Sequence, residues 1–305
     1  TVAFINHQMI FIALQDRTCC IAIAESQQYQ FIPNMVNILR CAVPRELKAQ
    51  ILTCFAAFAK CASVSTLIWK EIDTILPRYN HNITGQQKLW QNGIAIEIEE
   101  IEVKNEEYPI TIGFLELMNA LFSHYETNLS VQQQGLSESC FNFILDSILL
   151  KSIYRVFKNE NEKWTIVKLC HKMLLSIVQQ HDHMNSETLH TRTFQVFSQI
   201  LQENLLFRHM ISTLEDAVTY HDTYLSSPTL RDQDKLFEEV HECVTVILSL
   251  LTNVCEKQTI FFEMIRKLAG ISISTFIKLD VLFNNINIKS NKQDRLVVLF
   301  RLIDI

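Results

Sequence analysis

The chain has 305 residues, of which 48% are hydrophobic and 20% charged, and its formal net charge at pH 7 is −6. It contains only five glycines and five prolines. Because sheets need turn residues at short intervals, this scarcity favours an all-helical protein. The acidic balance provides no basic field for phosphates and argues against direct nucleic-acid binding. No apolar run reaches the roughly 18 residues of a membrane span, so we expect no transmembrane segment.

Hydrophobic residues at helical spacing predict a close succession of short helices in the first third of the chain. Pro33 and Pro44 are each expected to begin a helix, because proline suits the first helical position. The connection between these two helices is so short that they should pack side by side. The expected helices are 2–16, 18–25, 33–40, one from Pro44 that carries Leu47, Ile51, Leu52, Phe55 and Phe58, and 64–76 ended by Pro77, with loops at 26–28 and 78–92.

An acidic amphipathic helix is predicted to follow, beginning near Gly93. Ile94, Ile98 and Ile101 lie at i, i+4 and i+7, and glutamates occupy the other faces. The alternation of isoleucines at 94, 96 and 98 leaves a strand as the alternative, but the alternation fails at Glu99. We interpret the acidic set as a solvated helix face rather than a catalytic or calcium site, because it lacks a loop glycine. That set is Glu97, Glu99, Glu100, Glu102, Glu106 and Glu107.

A second helix is predicted to begin at Pro109, since proline disfavours helical geometry in the residue before it. Its apolar stripe is wider than one neighbouring helix requires, which indicates burial between two layers. The same width suggests an alternative, in which part of the stripe forms the floor of a peptide-binding groove. The stripe consists of Ile110, Phe114, Leu117, Met118, Leu121 and Phe122.

The second half of the chain is also expected to be helical. His171 lies in an apolar row and is interpreted as a structural histidine. The longest regular stripe runs from Leu236 to Val254, and its members Ile247 and Leu251 are expected in a packed layer. A loop is expected at 128–137, and Gly270 is expected to end a helix. The expected helices are 138–157, 162–180, 186–202, 205–220, the one with the long stripe, 259–268, 275–283 and 292–303.

Some dozen helices of modest length in hairpin-like succession, with no defensible strand, predict an all-α fold. The best match is a superhelical α-solenoid of degenerate HEAT/ARM-like helical pairs, with residues 1–305 as one continuous segment. A globular multi-helix domain is the alternative. Both ends of the chain are apolar, which suggests a piece of a longer protein and predicts that its uncapped ends expose apolar surface and self-associate.

No pattern in the sequence supports catalysis or a cofactor. The phosphate-binding, dinucleotide-binding, nucleophile-elbow and zinc-protease motifs are all missing, so we expect no enzyme activity. The nearest metal-like cluster, His181, Asp182 and His183 with His190, lacks a matched second pair, and we assign no metal site to it. The nine cysteines show no paired spacing and are expected to be buried thiols, including the vicinal Cys19-Cys20 pair.

Several stretches nevertheless resemble one family in order and spacing. The residues that carry the likeness are Gly93 to Glu102 followed by Glu106-Glu107-Tyr108-Pro109-Ile110-Thr111 and Phe114; upstream, Val43-Pro44, Leu47-Lys48-Ala49, Ala56-Ala57-Phe58 and Leu67-Ile68-Trp69; and downstream, Glu162-Lys163-Trp164, Leu214-Glu215, Asp222-Thr223-Tyr224 and Cys243 to Leu251. Together they resemble the largest inner-ring scaffold nucleoporins of the nuclear pore complex, with their acidic run leading into "EEYPLT". Ala59 stands where the family has glycine, and Ile112-Gly113 where it has arginine-alanine.

The resemblance implies a solenoid scaffold component of the nuclear pore complex at the nuclear envelope, which supports nucleocytoplasmic transport. Its partners would be other scaffold nucleoporins and short linear motifs of linker nucleoporins. No docking position of the family maps onto the matched residues, so partner-binding residues stay unassigned. A soluble HEAT-like transport receptor that binds Ran and cargo is the alternative, although the chain shows neither an acidic loop nor a repeat consensus for it.

Overall fold

A computed structural model of the chain describes residues 16–80, 89–91, 93–123, 131–180, 191–201, 204–226 and 234–269. Nearly all of these residues are helical, which confirms the all-α class. The chain divides into two compact units, Thr1–Ile177 and Val178–Ile305, which we describe separately. No helix within the described ranges combines the length and apolar character needed to cross a membrane.

The first unit contains the helices that precede and follow the acidic stretch. They are α1 (Arg17–Glu25), α2 (Phe31–Arg40), α3 (Arg45–Ala59), α4 (Ala62–Ile72), α5 (Gly93–Ile96), a π-helical turn (Glu97–Glu102), α6 (Val103–Asn105), α7 (Pro109–Ser123), α8 (Val131–Phe143), a second π-helical turn (Ile144–Leu149), a 3₁₀ turn (Ser152–Tyr154) and α9 (Glu160–Gln180). Helix α9 runs to the boundary of the unit and beyond it by three residues.

Several of these helices begin at prolines, as predicted, or at a polar capping residue. Pro44 occupies the N-cap of α3, and Pro109 begins α7. At α1 the carboxylate of Asp16 accepts a hydrogen bond at 2.7 Å from the backbone amide of Thr18, an N-cap contact typical of aspartate. Helix α2 starts at Phe31, two residues before the expected Pro33, so that this proline lies within the first turn, where its missing amide is tolerated.

Two loop predictions were wrong. Residues 78–92 include a short antiparallel hairpin, β1 (Arg78–Asn80) with β2 (Leu89–Gln91), in which Arg78 is opposite Gln91. Strands of three residues are too short to show a period in the sequence. Residues 131–137, expected as loop because they are polar, belong to α8, since glutamine is a good helix former. The predicted helix 138–157 accordingly begins and ends earlier, and α4 ends before Pro77.

The core of the first unit lies where α7 crosses α3. A Cβ atom added at Gly113 would lie 2.7 Å from the carbonyl oxygen of Ala49, so the two helix backbones approach too closely for any side chain. Around this contact the largest rings are fully buried, among them Phe55, Phe58 and Phe114. The departure to glycine at position 113 therefore permits the close packing of the two helices.

The second unit consists of α10 (Thr191–Leu201), α11 (Leu205–Ser226) and α12 (Asp234–Ala269). Helix α12 is continuous through the segment predicted as a separate helix at 259–268, because residues 254–259 contain neither glycine nor proline. Ile247 is fully buried, as predicted, whereas Leu251 is only half-buried and Leu250 takes the inner position. The predictions for residues 2–15, 181–190 and 270–303, and those for the chain ends, lie outside the described residues.

Candidate functional site

The acidic segment, residues 93–107, has a buried inner face and an exposed outer face, on which Glu100 and Ile101 lie. Its centre is Glu102, whose side chain is fully buried. One carboxylate oxygen accepts a hydrogen bond at 2.6 Å from the Ile110 amide. The other accepts bonds from the Thr111 amide at 3.0 Å and the Thr111 hydroxyl at 2.5 Å. Glu102 therefore caps the N-terminus of α7, where unpaired amides and the helix dipole both favour an anion.

Burial raises the pKa of Glu102 to about 7. The hydrogen bonds from Thr111 and Ile110, and the positive charge of Arg45, oppose this shift without cancelling it. Because the folded pKa lies above the ordinary value of 4.5, the folded protein takes up a proton here more readily than the unfolded chain does. The stability that this proton contributes is present below about pH 4.5 and is lost as the pH rises through 7.

The π-helical turn at Glu97–Glu102 explains why Glu102 points inward. A regular helix would have put Ile101 on the face of Ile94 and Ile98, as the sequence pattern predicted. In the structure Ile101 is 41% exposed, and Glu102 joins Ile94 and Ile98 on the buried face. The wider turn shifts the register by one residue, so the predicted inner position of Ile101 was wrong.

Ion pairs tie the same segment to helices on both sides, so the interpretation as a solvated face is wrong for the buried Glu102 and holds for the exposed Glu100. Glu97 pairs with Lys48 of α3 at 2.5 Å, and both side chains are largely buried. Glu99 accepts hydrogen bonds from Arg155 at 2.7 Å and Lys151 at 2.6 Å, and the Arg155 side chain is only 5% exposed. The glutamates thus connect α3 to the segment between the second π-helical turn and α9.

The end of the acidic segment makes a further set of contacts. Glu107 pairs with Arg45 at 3.1 Å and with Lys158 at 3.3 Å, and these pairs are partly exposed. The neighbouring Tyr108 is fully buried, and its hydroxyl donates to the carbonyl of Val156 at 2.9 Å. Its amide donates to the carboxylate of Glu162 on α9 at 2.9 Å. One short stretch of chain therefore joins α3, α7 and α9.

A cleft adjoins the acidic segment between α2, α3 and α5. It has a volume of about 260 Å³, and Gly93 lies at its edge with open space where a side chain would be. Its polar residues include Arg40, whose guanidinium donates to the hydroxyl of Thr74, and the Lys48–Glu97 pair. The apolar floor consists of buried side chains, namely Leu39, Leu52, Ile75, Ile94 and Ile110.

The groove predicted along α7 named Phe114, Leu117, Met118, Leu121 and Phe122. All five are fully buried, which favours the layer between helices, whereas Ile110 of the same stripe lies in the floor of the cleft. Glu102 and the cleft were both missed. A signal for the cap existed: Tyr108 precedes the proline-started helix and cannot cap it, so the acceptor had to come from elsewhere in the chain.

The other candidate residues have structural surroundings where they are described. His171 is fully buried, and its Nδ1 lies 2.8 Å from the carbonyl oxygen of Val167, as expected for a structural histidine. Within the described ranges no group of His, Cys, Asp and Glu could hold a metal ion; the histidine cluster at 181–190 lies outside them. Cys20 is buried, as expected, and burial raises the pKa of its thiol to about 11. Cys19, Cys41 and Cys255 are exposed, so the expectation of buried thiols was wrong for these three.

Amphipathic helices that pack on their neighbours and are joined by internal ion pairs define an all-α protein. A family model described as "Nuclear pore complex scaffold, nucleoporins 186/192/205" matches residues 9–295. The chain belongs to this family, whose members are components of the nuclear pore complex. The solenoid class predicted from the sequence is the class of the family.

Two curated relatives of the chain share one name, nuclear pore complex protein Nup205. The nuclear pore complex protein Nup205 of Homo sapiens is 25% identical over 300 residues, which are 92% of this chain and 14% of the human protein. The nuclear pore complex protein Nup205 of Drosophila melanogaster is 27% identical over 265 residues, which are 83% of this chain and 12% of that protein. The chain therefore spans a small part of the length of the relatives that it matches.

Proposed function

We propose that this segment is a non-catalytic part of the inner-ring scaffold of the nuclear pore complex and that it holds a short linear motif of a linker nucleoporin. Family membership implies association with other nuclear pore components. The observation that carries the finer proposal is the cleft beside Gly93, which combines an apolar floor with charged side chains at its edge. Peptide grooves of this composition take aliphatic or aromatic anchors.

The dimensions of the cleft suit one such anchor. A cavity of about 150 Å³ lined by aliphatic and aromatic side chains can hold a benzene ring. The cleft is larger, at about 260 Å³, and its floor residues Leu39, Ile75 and Ile94 are held in the core with 5–6% of their surface exposed, so they present a fixed apolar surface. An inserted side chain would gain the transfer free energy of its apolar area without a rearrangement of the floor.

Polar side chains at the edge of the cleft can orient a bound peptide backbone through hydrogen bonds. Arg40 is exposed and already donates to Thr74 and to the Asn37 side chain at 3.4 Å, which holds its guanidinium near the opening. A guanidinium carries five donors, so further bonds to a peptide carbonyl or carboxylate remain possible. The Lys48–Glu97 pair fixes the opposite wall.

Titration calorimetry with linker-nucleoporin peptides tests the proposal, using two matched glycine variants of the 305-residue chain. Gly93→Leu puts a side chain at the edge of the cleft, whereas Gly135→Leu puts one on the exposed face of α8; neither glycine has an atom within 4 Å of an added Cβ. We expect Gly93→Leu to abolish saturable binding and Gly135→Leu to preserve it. Equal binding by both variants, or no binding by the parent chain, would contradict the proposal. Capture of nucleotide-loaded Ran would favour the transport-receptor alternative.

A further inference from the structure

A second surface, in the second unit, has a different chemistry. Helices α11 and α12 face each other through matching stripes at i, i+3 and i+4, which form a shallow pocket. The floor consists of Ala217, Val240 and Val244, all buried. The wall is aromatic: Phe237 stacks on Tyr224 with ring centroids 4.5 Å apart and lies 5.8 Å from the ring of His221.

The pocket is too small for an inserted anchor. Its volume is about 20 Å³, which is room for about one water molecule and far less than the roughly 150 Å³ of a cavity that holds a benzene ring. The rings of Tyr220, Tyr224 and Phe237 are each half-buried, so that part of their surface is open. Such a surface can bind a flat group that stacks on the rings, but it has no pocket deep enough for an aliphatic side chain.

The charged side chains near the rings determine whether a positively or a negatively charged ligand group is favoured. On the same turns of α11 and α12 the described side chains include one cation, Lys235, and six carboxylates that are exposed or half-exposed. These are Glu215, Asp216, Asp222, Glu238, Glu239 and Glu242. Asp216 precedes Tyr220 by four residues and Glu238 precedes His241 by three, so each of these two carboxylates lies on the same side of its helix as a pocket residue, and their fields add there.

We infer that this aromatic face binds a basic, arginine-containing peptide segment of a protein partner, with a guanidinium stacked on the rings of Phe237 and Tyr220. Cations are attracted to the faces of aromatic rings, and arginine also stacks on them in plane. The acidic surround steers such a segment towards the rings and repels acidic ones. This inference does not rest on the proposed function, because it uses a different unit, a different pocket and the opposite ligand chemistry.

Fluorescence anisotropy with the 305-residue chain tests the inference, using a labelled peptide of Arg-Gly-Ser repeats and the same peptide with glutamate in place of arginine. We expect saturable binding of the arginine peptide only, weakened by added salt. Phe237→Leu should weaken binding about five-fold, and Phe237→Tyr should preserve it because the ring is kept. Glu238→Gln should weaken binding about two-fold through the lost charge.

Two exposed positions in the first unit serve as matched controls. Tyr154→Leu removes an 81% exposed ring, and Glu46→Gln removes an exposed carboxylate; neither should change binding of the arginine peptide. Thermal melting verifies that each variant is folded. If Phe237→Leu does not fold, Phe237→Tyr and Glu238→Gln still decide the question. Equal binding of the two peptides, or binding unchanged in Glu238→Gln and in a folded Phe237→Leu, would overturn the inference.

Discussion

Glutamates are prominent in both units, and the two sets are placed in opposite ways. In the acidic segment of the first unit, Glu102 is buried under a helix start and Glu99 is held by Arg155 and Lys151. On α12 of the second unit, Glu238 follows the half-buried Phe237 and is exposed. The difference shows that surroundings decide the placement of a glutamate: nearby amides and basic side chains hold it inside, and without them it stays in solvent.

The largest change in stability is expected in the apolar layer of the second unit, where a fully buried and a half-buried position can be compared. Ile247→Asp puts a charge into a fully buried position and should lower the free energy of unfolding by about 3–5 kcal/mol, with loss of cooperative melting. Leu251→Asp should cost less, because Leu251 is half-buried and a carboxylate there can reach water. Urea denaturation followed by circular dichroism measures both. Equal losses would mean that the two positions share one environment.

The next effect is the pH dependence that the buried cap introduces. Between about pH 4.5 and pH 7 the raised pKa of Glu102 should lower the free energy of unfolding by about 3 kcal/mol as the pH rises. Glu102→Gln cannot ionise and should remove this part of the slope. Denaturation at a series of pH values checks the sign. A variant with the same slope as the parent chain would show that Glu102 is not the group that titrates.

A smaller effect is expected at the helix crossing. Gly113→Ala forces the Ala49 carbonyl oxygen, now 2.7 Å from the added Cβ position, to move with its backbone, and should cost about 1–3 kcal/mol. Gly135→Ala is the control, because its Cβ would meet open space in an exposed helix and should stabilise the protein by about 0.5–1 kcal/mol. If both variants gain stability, α3 and α7 are less closely packed than described.

The smallest effect concerns the partly exposed pair at the end of the acidic segment. Lys158 is 55% exposed and its partner Glu107 is 43% exposed, so Lys158→Ala should change the free energy of unfolding by less than about 1 kcal/mol. Arg155→Ala should cost more, since Arg155 is 5% exposed and also donates to the Ser147 carbonyl at 2.7 Å. The two variants compared in one denaturation series show whether burial decides the strength of these pairs.

Several features that depend on local sequence were predicted correctly. Pro44 and Pro109 mark helix starts because the missing amide and fixed φ of proline act within a single turn. The buried positions of Ile247 and of the α7 stripe follow from a period of 3.6 residues that is repeated over several turns. These signals lie within the element that they define, so one sequence is enough to read them.

Features that depend on a change of register or on distant residues were not predicted. The π-helical turn shifts the helix register by one residue, so that Glu102 takes the buried position expected for Ile101. The hydrophobic pattern of the sequence does not predict such a turn. Glu99 and Arg155 are 56 positions apart, so only the fold brings them together. The cleft beside Gly93 likewise combines side chains from α2, α3 and α5, and the sequence contains no motif for it.

The contrast between the two acidic regions is tested most directly by one alanine substitution in each, measured as the free energy of unfolding at pH 6. Glu102→Ala leaves the Ile110 and Thr111 donors buried without their acceptor and should cost about 2–4 kcal/mol. Glu238→Ala alters an exposed side chain and should stay within about 0.5 kcal/mol of the parent chain. A small change for Glu102→Ala, or equal losses for both variants, would contradict the assignment of an internal structural role to the first region and an outward role to the second.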